Sequence, residues 1–176
     1  TNTVNDVFSA DGCSCTGTPL GILEDFAIFT TTGAVSNAGT STIWGKVGSH
    51  VGAITGFAPA ITEAANALTA GAVTGVQNLY NQLLATPQTV FGHAPAFGSE
   101  TLTPGVYAIA GAGSVVGNLI LDGGNEENPF FIFKFAGAFT AAAASKVELI
   151  NGAKACNVSW ISGGAIVIGA STKMKG

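Results

Sequence analysis

The sequence predicts a mainly β chain wound as a solenoid, with one long α-helix packed along it. Three observations carry that reading. A short phrase of glycine, alanine, a large apolar residue and a variable one recurs at Gly33-Ala34-Val35-Ser36, Gly52-Ala53-Ile54-Thr55, Gly137-Ala138-Phe139-Thr140 and Gly164-Ala165-Ile166-Val167, with a degenerate copy at Gly111-Ala112-Gly113-Ser114. A strand-entry phrase that returns in this way marks a chain passing repeatedly through equivalent positions. Closely spaced glycines, such as Gly45, Gly48, Gly52 and Gly56, suit the tight corners of such coils. One segment, 61–84, switches to an apolar spacing of three and four residues, the period of a helix.

Residues 1–20 are polar, rich in Thr, Ser, Gly and Asp, and read as an N-terminal arm or cap ahead of a β domain over 21–176. Phe26-Ala27-Ile28-Phe29-Thr30-Thr31 is a buried strand by its run of β-formers. Short strands follow at Thr42-Ile43-Trp44 and Ala53-Ile54-Thr55. The helix places Ile61, Ala65, Leu68, Ala72, Val76, Leu79 and Leu83 on one face, with Thr62 as its cap, Glu63 in its first turn and Pro87 as its stop. Gly71 and Gly75 weaken it as a free helix but permit close packing against a sheet. Phe91–Gly98 reads as a loop. Strands resume at Leu102–Tyr107, turning at Pro104-Gly105, and continue at Leu119–Asp122, Phe130–Phe135, Val147–Ile150 and Val158–Ile161. Phe130-Phe131-Ile132-Phe133-Lys134-Phe135 is apolar enough for burial on both faces apart from Lys134. Asn125–Pro129 is an exposed acidic corner.

Composition narrows the function. The 176 residues fit one domain. Only 9% of them are charged, against the usual quarter for soluble domains, and the mean hydropathy is +0.46. A net charge of −4 leaves no basic stripe to neutralise phosphates, which argues against nucleic acid as a partner. No apolar run is long enough for a membrane span. The start at Thr1 lacks the basic and apolar regions of a leader and reads as that of a mature exported chain, which a processed secreted or cell-surface protein would present.

Enzymatic chemistry finds no constellation. His50 and His93 read as exposed loop residues without a nucleophile motif beside them. Asp122, in Leu-Asp-Gly-Gly, is a turn residue rather than a general acid. Glu126 and Glu127 form a solvated corner, too few oxygens for calcium. No glycine run has phosphate-loop spacing. Asn157-Val158-Ser159 matches a glycosylation sequon but falls in a strand beside Trp160, which disfavours modification. Trp44 and Trp160 read as packing residues. No cofactor and no metal are expected, and Cys13-Ser14-Cys15 with Cys156 offers too few soft ligands for zinc. Cys156 reads either as a small buried apolar residue or as one end of a disulfide to Cys13 or Cys15, which leaves one thiol for another partner.

Leu102-Thr103-Pro104-Gly105-Val106-Tyr107, Leu119-Ile120-Leu121-Asp122-Gly123-Gly124, Asn128-Pro129-Phe130-Phe131-Ile132-Phe133 and the long run Leu149–Trp160 together resemble the microbial ice-binding proteins, in the family's order and over about Leu20 to Gly176. The resemblance implies an irregular right-handed β-helix, a triangular solenoid with one long helix alongside. It also implies adsorption to ice through one flat face, without turnover.

With the large residue of each phrase pointing inward, the outward positions are Ala34, Ser36 and Ala38; Ala138, Thr140 and Ala142; Ala165, Val167 and Gly169. Strands stack about 4.8 Å apart and alternate residues repeat at nearly 7 Å, a grid on which methyls and hydroxyls order water. Ser36 and Thr140 are the hydroxyls among these nine. Members of the family continue beyond Lys175-Gly176 with further strands, so the last coils are missing here and an apolar strand row is expected to lie open. An alternative function follows: a structural or adhesive subunit of an extracellular filament or surface layer, a homo-polymer of like subunits. Its assembly would proceed by donation of the arm strand around Thr3, Val4, Val7 and Phe8.

Overall fold

A computed structural model describes residues 22–23, 26–32, 34–36, 46–57, 62–64 and 66–176. The chain divides into two compact units, Thr1–Asn81 and Gln82–Gly176.

In the first unit the strands are β1 (Phe26–Thr30), β2 (Val35–Ser36), β3 (Lys46–Ser49), β4 (Ile54–Thr55) and β5 (Thr62–Ala64); α1 (Ala67–Ala85) follows, its residues from Gln82 onward belonging to the second unit. β1, β3 and β5 form one parallel sheet in that order, and β2 pairs with β4. Gly48 is required by close approach: a Cβ there would lie 2.4 Å from Cε1 of Phe26.

The helix starts later than its apolar spacing predicts. Thr62–Ala64 pair with Val47–Ser49 as strand β5, and the ladder claims the backbone that the expected first turn would have used. Asn66 is the cap instead of Thr62. Its Oδ1 accepts from the Thr69 N–H at 2.9 Å, while Thr69 Oγ1 accepts from the Asn66 N–H at 2.9 Å. This reciprocal pair satisfies two of the donors that a helix start leaves open. Glu63, outside the helix, accepts from Asn66 Nδ2 at 2.7 Å. Four positions of the expected apolar face, Leu68, Ala72, Val76 and Leu79, pack with Leu23, Phe26 and Phe29, whereas Leu83 is not part of that cluster and Ile61 and Ala65 lie outside the described residues. Gly71 and Gly75 admit Ile22 and Leu23, whose side-chain carbons would lie 2.9 and 3.3 Å from an added Cβ. His50 is not an exposed loop residue; it is half-buried, with Nδ1 3.1 Å from Thr69 Oγ1.

In the second unit the strands are β6 (Ala96–Phe97), β7 (Glu100–Leu102), β8 (Gly105–Ile109), β9 (Gly113–Val115), β10 (Asn118–Asp122), β11 (Phe131–Phe135), β12 (Phe139–Ala141), β13 (Lys146–Ile150), β14 (Val158–Ser162) and β15 (Ile166–Ile168). They form three parallel sheets, ordered β13-β10-β7, β14-β11-β8 and β15-β12-β9-β6. Each passage of the chain therefore lays one strand on each sheet in turn, and each sheet grows by one rung per passage. After β15 the chain returns to the first sheet, where Lys173 bridges Lys146. The Phe91–Gly98 loop reading is corrected at β6: Ala96 and Phe97 pair with Ser114 and Val115, partners too distant in sequence for local composition to show.

The registers stack like on like. Tyr107, Phe133 and Trp160 are successive partners. Their rings stack at 5.2 and 4.1 Å between centroids. Phe97, Phe131, Phe139, Leu119, Leu121 and Val115 complete a core of fully buried side chains, each contributing on the order of 1.5–3 kcal/mol of transfer energy. β11 is buried on both faces except at Lys134, as its sequence predicts; Lys134 Nζ donates to the carbonyls of Leu84 at 3.0 Å and Thr86 at 2.5 Å. Phe130 lies just outside the strand and is exposed. Among the described residues, no helix is long and apolar enough to cross a membrane.

Candidate functional site

The repeated phrase converges on the sheet β15-β12-β9-β6. Phe139 pairs with Ile166 and Gly113, Thr140 with Val167 and Ser114, and Ala141 with Ile168 and Val115; Ala96 extends the Thr140 row. Phe97, Val115, Phe139 and Ala141 are buried, so the intervening positions face outward. The central outward row is Ala96, Ser114, Thr140 and Val167. By continuation of the register, Ala112, Ala138 and Ala165 form a row on one side, and Val116, Ala142 and Gly169 a row on the other. Thr140 and Val167 are exposed, and Ser114, Ala138 and Ala142 are half-buried. A shallow depression of about 280 Å³ lies over Pro95, Ala96, Ala112, Gly113, Ser114, Ala138 and Thr140.

In two copies of the phrase, those opened by Gly137 and Gly164, the glycine is explained by stacking rather than by a special turn. A Cβ on Gly137 would lie 2.8 Å from the Ala112 nitrogen, and one on Gly164 2.9 Å from the Ala138 nitrogen. Successive rungs meet backbone to backbone here, with Gly137 N–H donating to Gly111 O at 2.9 Å and Gly164 N–H to Gly137 O at 3.1 Å. The following alanines are thereby drawn into one row.

These three rows carry no ionisable side chain. The sheet β13-β10-β7 is the opposite case. With Leu119, Leu121 and Val147 buried, its outward positions include Asn118, Asp122, Lys146 and Glu148. Glu148 pairs with the Lys146 ammonium and accepts from Asn118 Nδ2 at 2.8 Å. The hydrogen bond from Lys146, then that from Asn118, holds its carboxyl below the usual range. Asp122 accepts from the Gly124 N–H and from Asn151 Nδ2, at 2.9 and 2.8 Å, and its carboxyl is lowered by those bonds in that order. Asp122 is thus a turn residue, as its Leu-Asp-Gly-Gly setting predicts.

Of the nine face positions read from sequence, six come together on this one sheet: Ala138, Thr140, Ala142, Ala165, Val167 and Gly169. Ala34 and Ser36 lie in the first unit at β2, where Ser36 pairs with Thr55, and both are exposed. Ala38 lies outside the described residues. Sequence reasoning missed Ala96, Ala112, Ser114 and Val116 as members of the face, and Thr55 beside Ser36. Four of the five had a signal, since Ala112-Gly113-Ser114 and Ile54-Thr55 belong to copies of the phrase and Val116 continues one of them; Ala96 had none.

The remaining candidates fall elsewhere. Cys156 is disulfide-bonded, so it is not a free apolar thiol; Cys13 and Cys15 lie outside the described residues, as do Thr3, Val4, Val7 and Phe8 and also Trp44. Asn157 lies in the turn Ala155–Asn157 just ahead of β14, not in the strand, and its Nδ2 donates to the Pro129 carbonyl at 3.0 Å. His93 is not an exposed loop residue: it stacks on Phe97 at 4.1 Å, faces Glu100 Oε2 at 3.2 Å, and its side chain is 15% exposed. Trp160 packs on Phe133 and Phe139 and donates to the Lys175 carbonyl at 2.9 Å. Among the described residues, no three His, Cys, Asp or Glu side chains converge as a metal site would require.

Comparison with known proteins finds similarity both in sequence and in structure. The model of the ice-binding-like family matches residues 29–176. An ice-binding protein of Flammulina populicola is 29% identical over 89% of this chain and 73% of its own length. One from Nostoc sp. (strain HG1) is 31% identical over 81% of this chain and 54% of its own. In structure, an ice-binding protein from an Antarctic bacterium of the Flavobacteriaceae superposes with a TM-score of 0.85 at 42% identity, over 89% of this chain and 38% of that one. The ice-binding protein of the ascomycete Antarctomyces psychrotrophicus gives 0.78 at 28% identity, over 92% and 81%. The chain thus spans about half of the Nostoc protein and less of the bacterial one.

Proposed function

This chain belongs to the ice-binding-like family, and on that premise we propose that it binds ice through the outward rows of β6, β9, β12 and β15, without cofactor or turnover. The observation that carries the reading is the contrast between two sheets of one unit. Charged groups hold their hydration shells strongly, and stripping them is costly. A face of methyls with a few hydroxyls gives up or shares its water cheaply. Rungs about 4.8 Å apart, with outward positions repeating at nearly 7 Å along each strand, let the Ala112–Ala138–Ala165 methyls and the Ser114–Thr140 hydroxyls hold water in a regular array. Such water merges with a growing lattice, while the Lys146–Glu148 face remains in liquid. Within the first unit, Ser36 and Thr55 are register partners with the exposed Ala34 and Ala53 beside them, and present the same chemistry there.

The rungs are further proposed to wind as a right-handed triangular β-helix. Three parallel sheets filled in strict rotation support this, because crossovers between parallel strands of one sheet are right-handed in about 98% of cases. Export follows from two features. The charge content is low, and the disulfide at Cys156 is of the kind that persists in an oxidising compartment.

The test compares Thr140→Tyr, which plants a ring on the proposed face, with Thr101→Tyr on the charged sheet. Thermal hysteresis and inhibition of recrystallisation should be largely lost in the first and retained in the second. Equal activity in both variants would overturn the assignment of the face, and no activity in the unaltered chain would overturn ice binding itself.

A further inference from the structure

We draw no further inference here: the strongest candidate, the open edge of β15 where Ile166, Val167 and Ile168 all stand exposed, carries nothing because nothing in the structure shows what covers it.

Discussion

Thr140 and Ser114 are register partners on adjacent parallel strands, which puts two hydroxyl-bearing residues next to each other in one outward row that Val167 continues as a methyl pair. Val167→Thr keeps the β-branched shape, and with it the strand preference, and lengthens the hydroxyl row by one. Thermal hysteresis is expected to rise while the melting temperature holds. A fall in activity would show that methyls, not hydroxyls, dominate adsorption on this face.

Gly137 and Gly111 open two copies of the same phrase but sit in different surroundings. A Cβ on Gly137 would collide with the Ala112 backbone, whereas nothing lies within 4 Å of one on Gly111. Gly137→Ala is expected to cost about 1–3 kcal/mol, because backbone yields less readily than side chains. Gly111→Ala should stay within about 0.5 kcal/mol of the parent. Denaturant midpoints at constant slope would measure both.

Ser145 is buried, and its Oγ lacks a hydrogen-bond partner. Ser145→Ala removes a desolvated hydroxyl and creates little void. It is expected to stabilise the protein by about 1 kcal/mol, read as a higher midpoint in urea. Destabilisation would mean that the hydroxyl is bonded in solution.

The Glu148 and Asp122 carboxyls titrate below their ordinary range, for the reasons of hydrogen bonding given above. A folded-state value below the unfolded one stabilises fully above the unfolded pKa, and that contribution disappears as pH falls through the depressed value. Melting temperature should therefore hold from neutrality into the ordinary carboxylate range and decline only below it. The decline should be modest, since both groups face solvent. Ice activity should not follow any titration while the fold stands, because the rows proposed to adsorb carry no ionisable group. Carboxyl chemical shifts and hysteresis, both followed against pH, separate the two effects.

Much of this was legible because the sequence repeats. The Gly-Ala phrase located β12 and β15 and put Thr140 and Val167 on one face, and the run of phenylalanines located β11. What escaped depends on distant partners. β6 is a strand because Ser114 and Val115 offer it a ladder. Thr62–Ala64 has helical spacing but follows β3 into a sheet. His93 is sheltered by Phe97 and Glu100, which surround it only after folding. Strand alternation places Ile166 and Ile168 with the buried Phe139 and Ala141, yet both are exposed at the last rung, a position that periodicity does not reveal.

The rotation of the second unit through its three sheets makes its cooperativity one-dimensional. Each rung bonds to the rung before and the rung after, so protection against hydrogen exchange should be greatest at β10–β12 and fall towards β15. Loss of the middle rung would uncouple the two flanking ones as a broken link parts a chain.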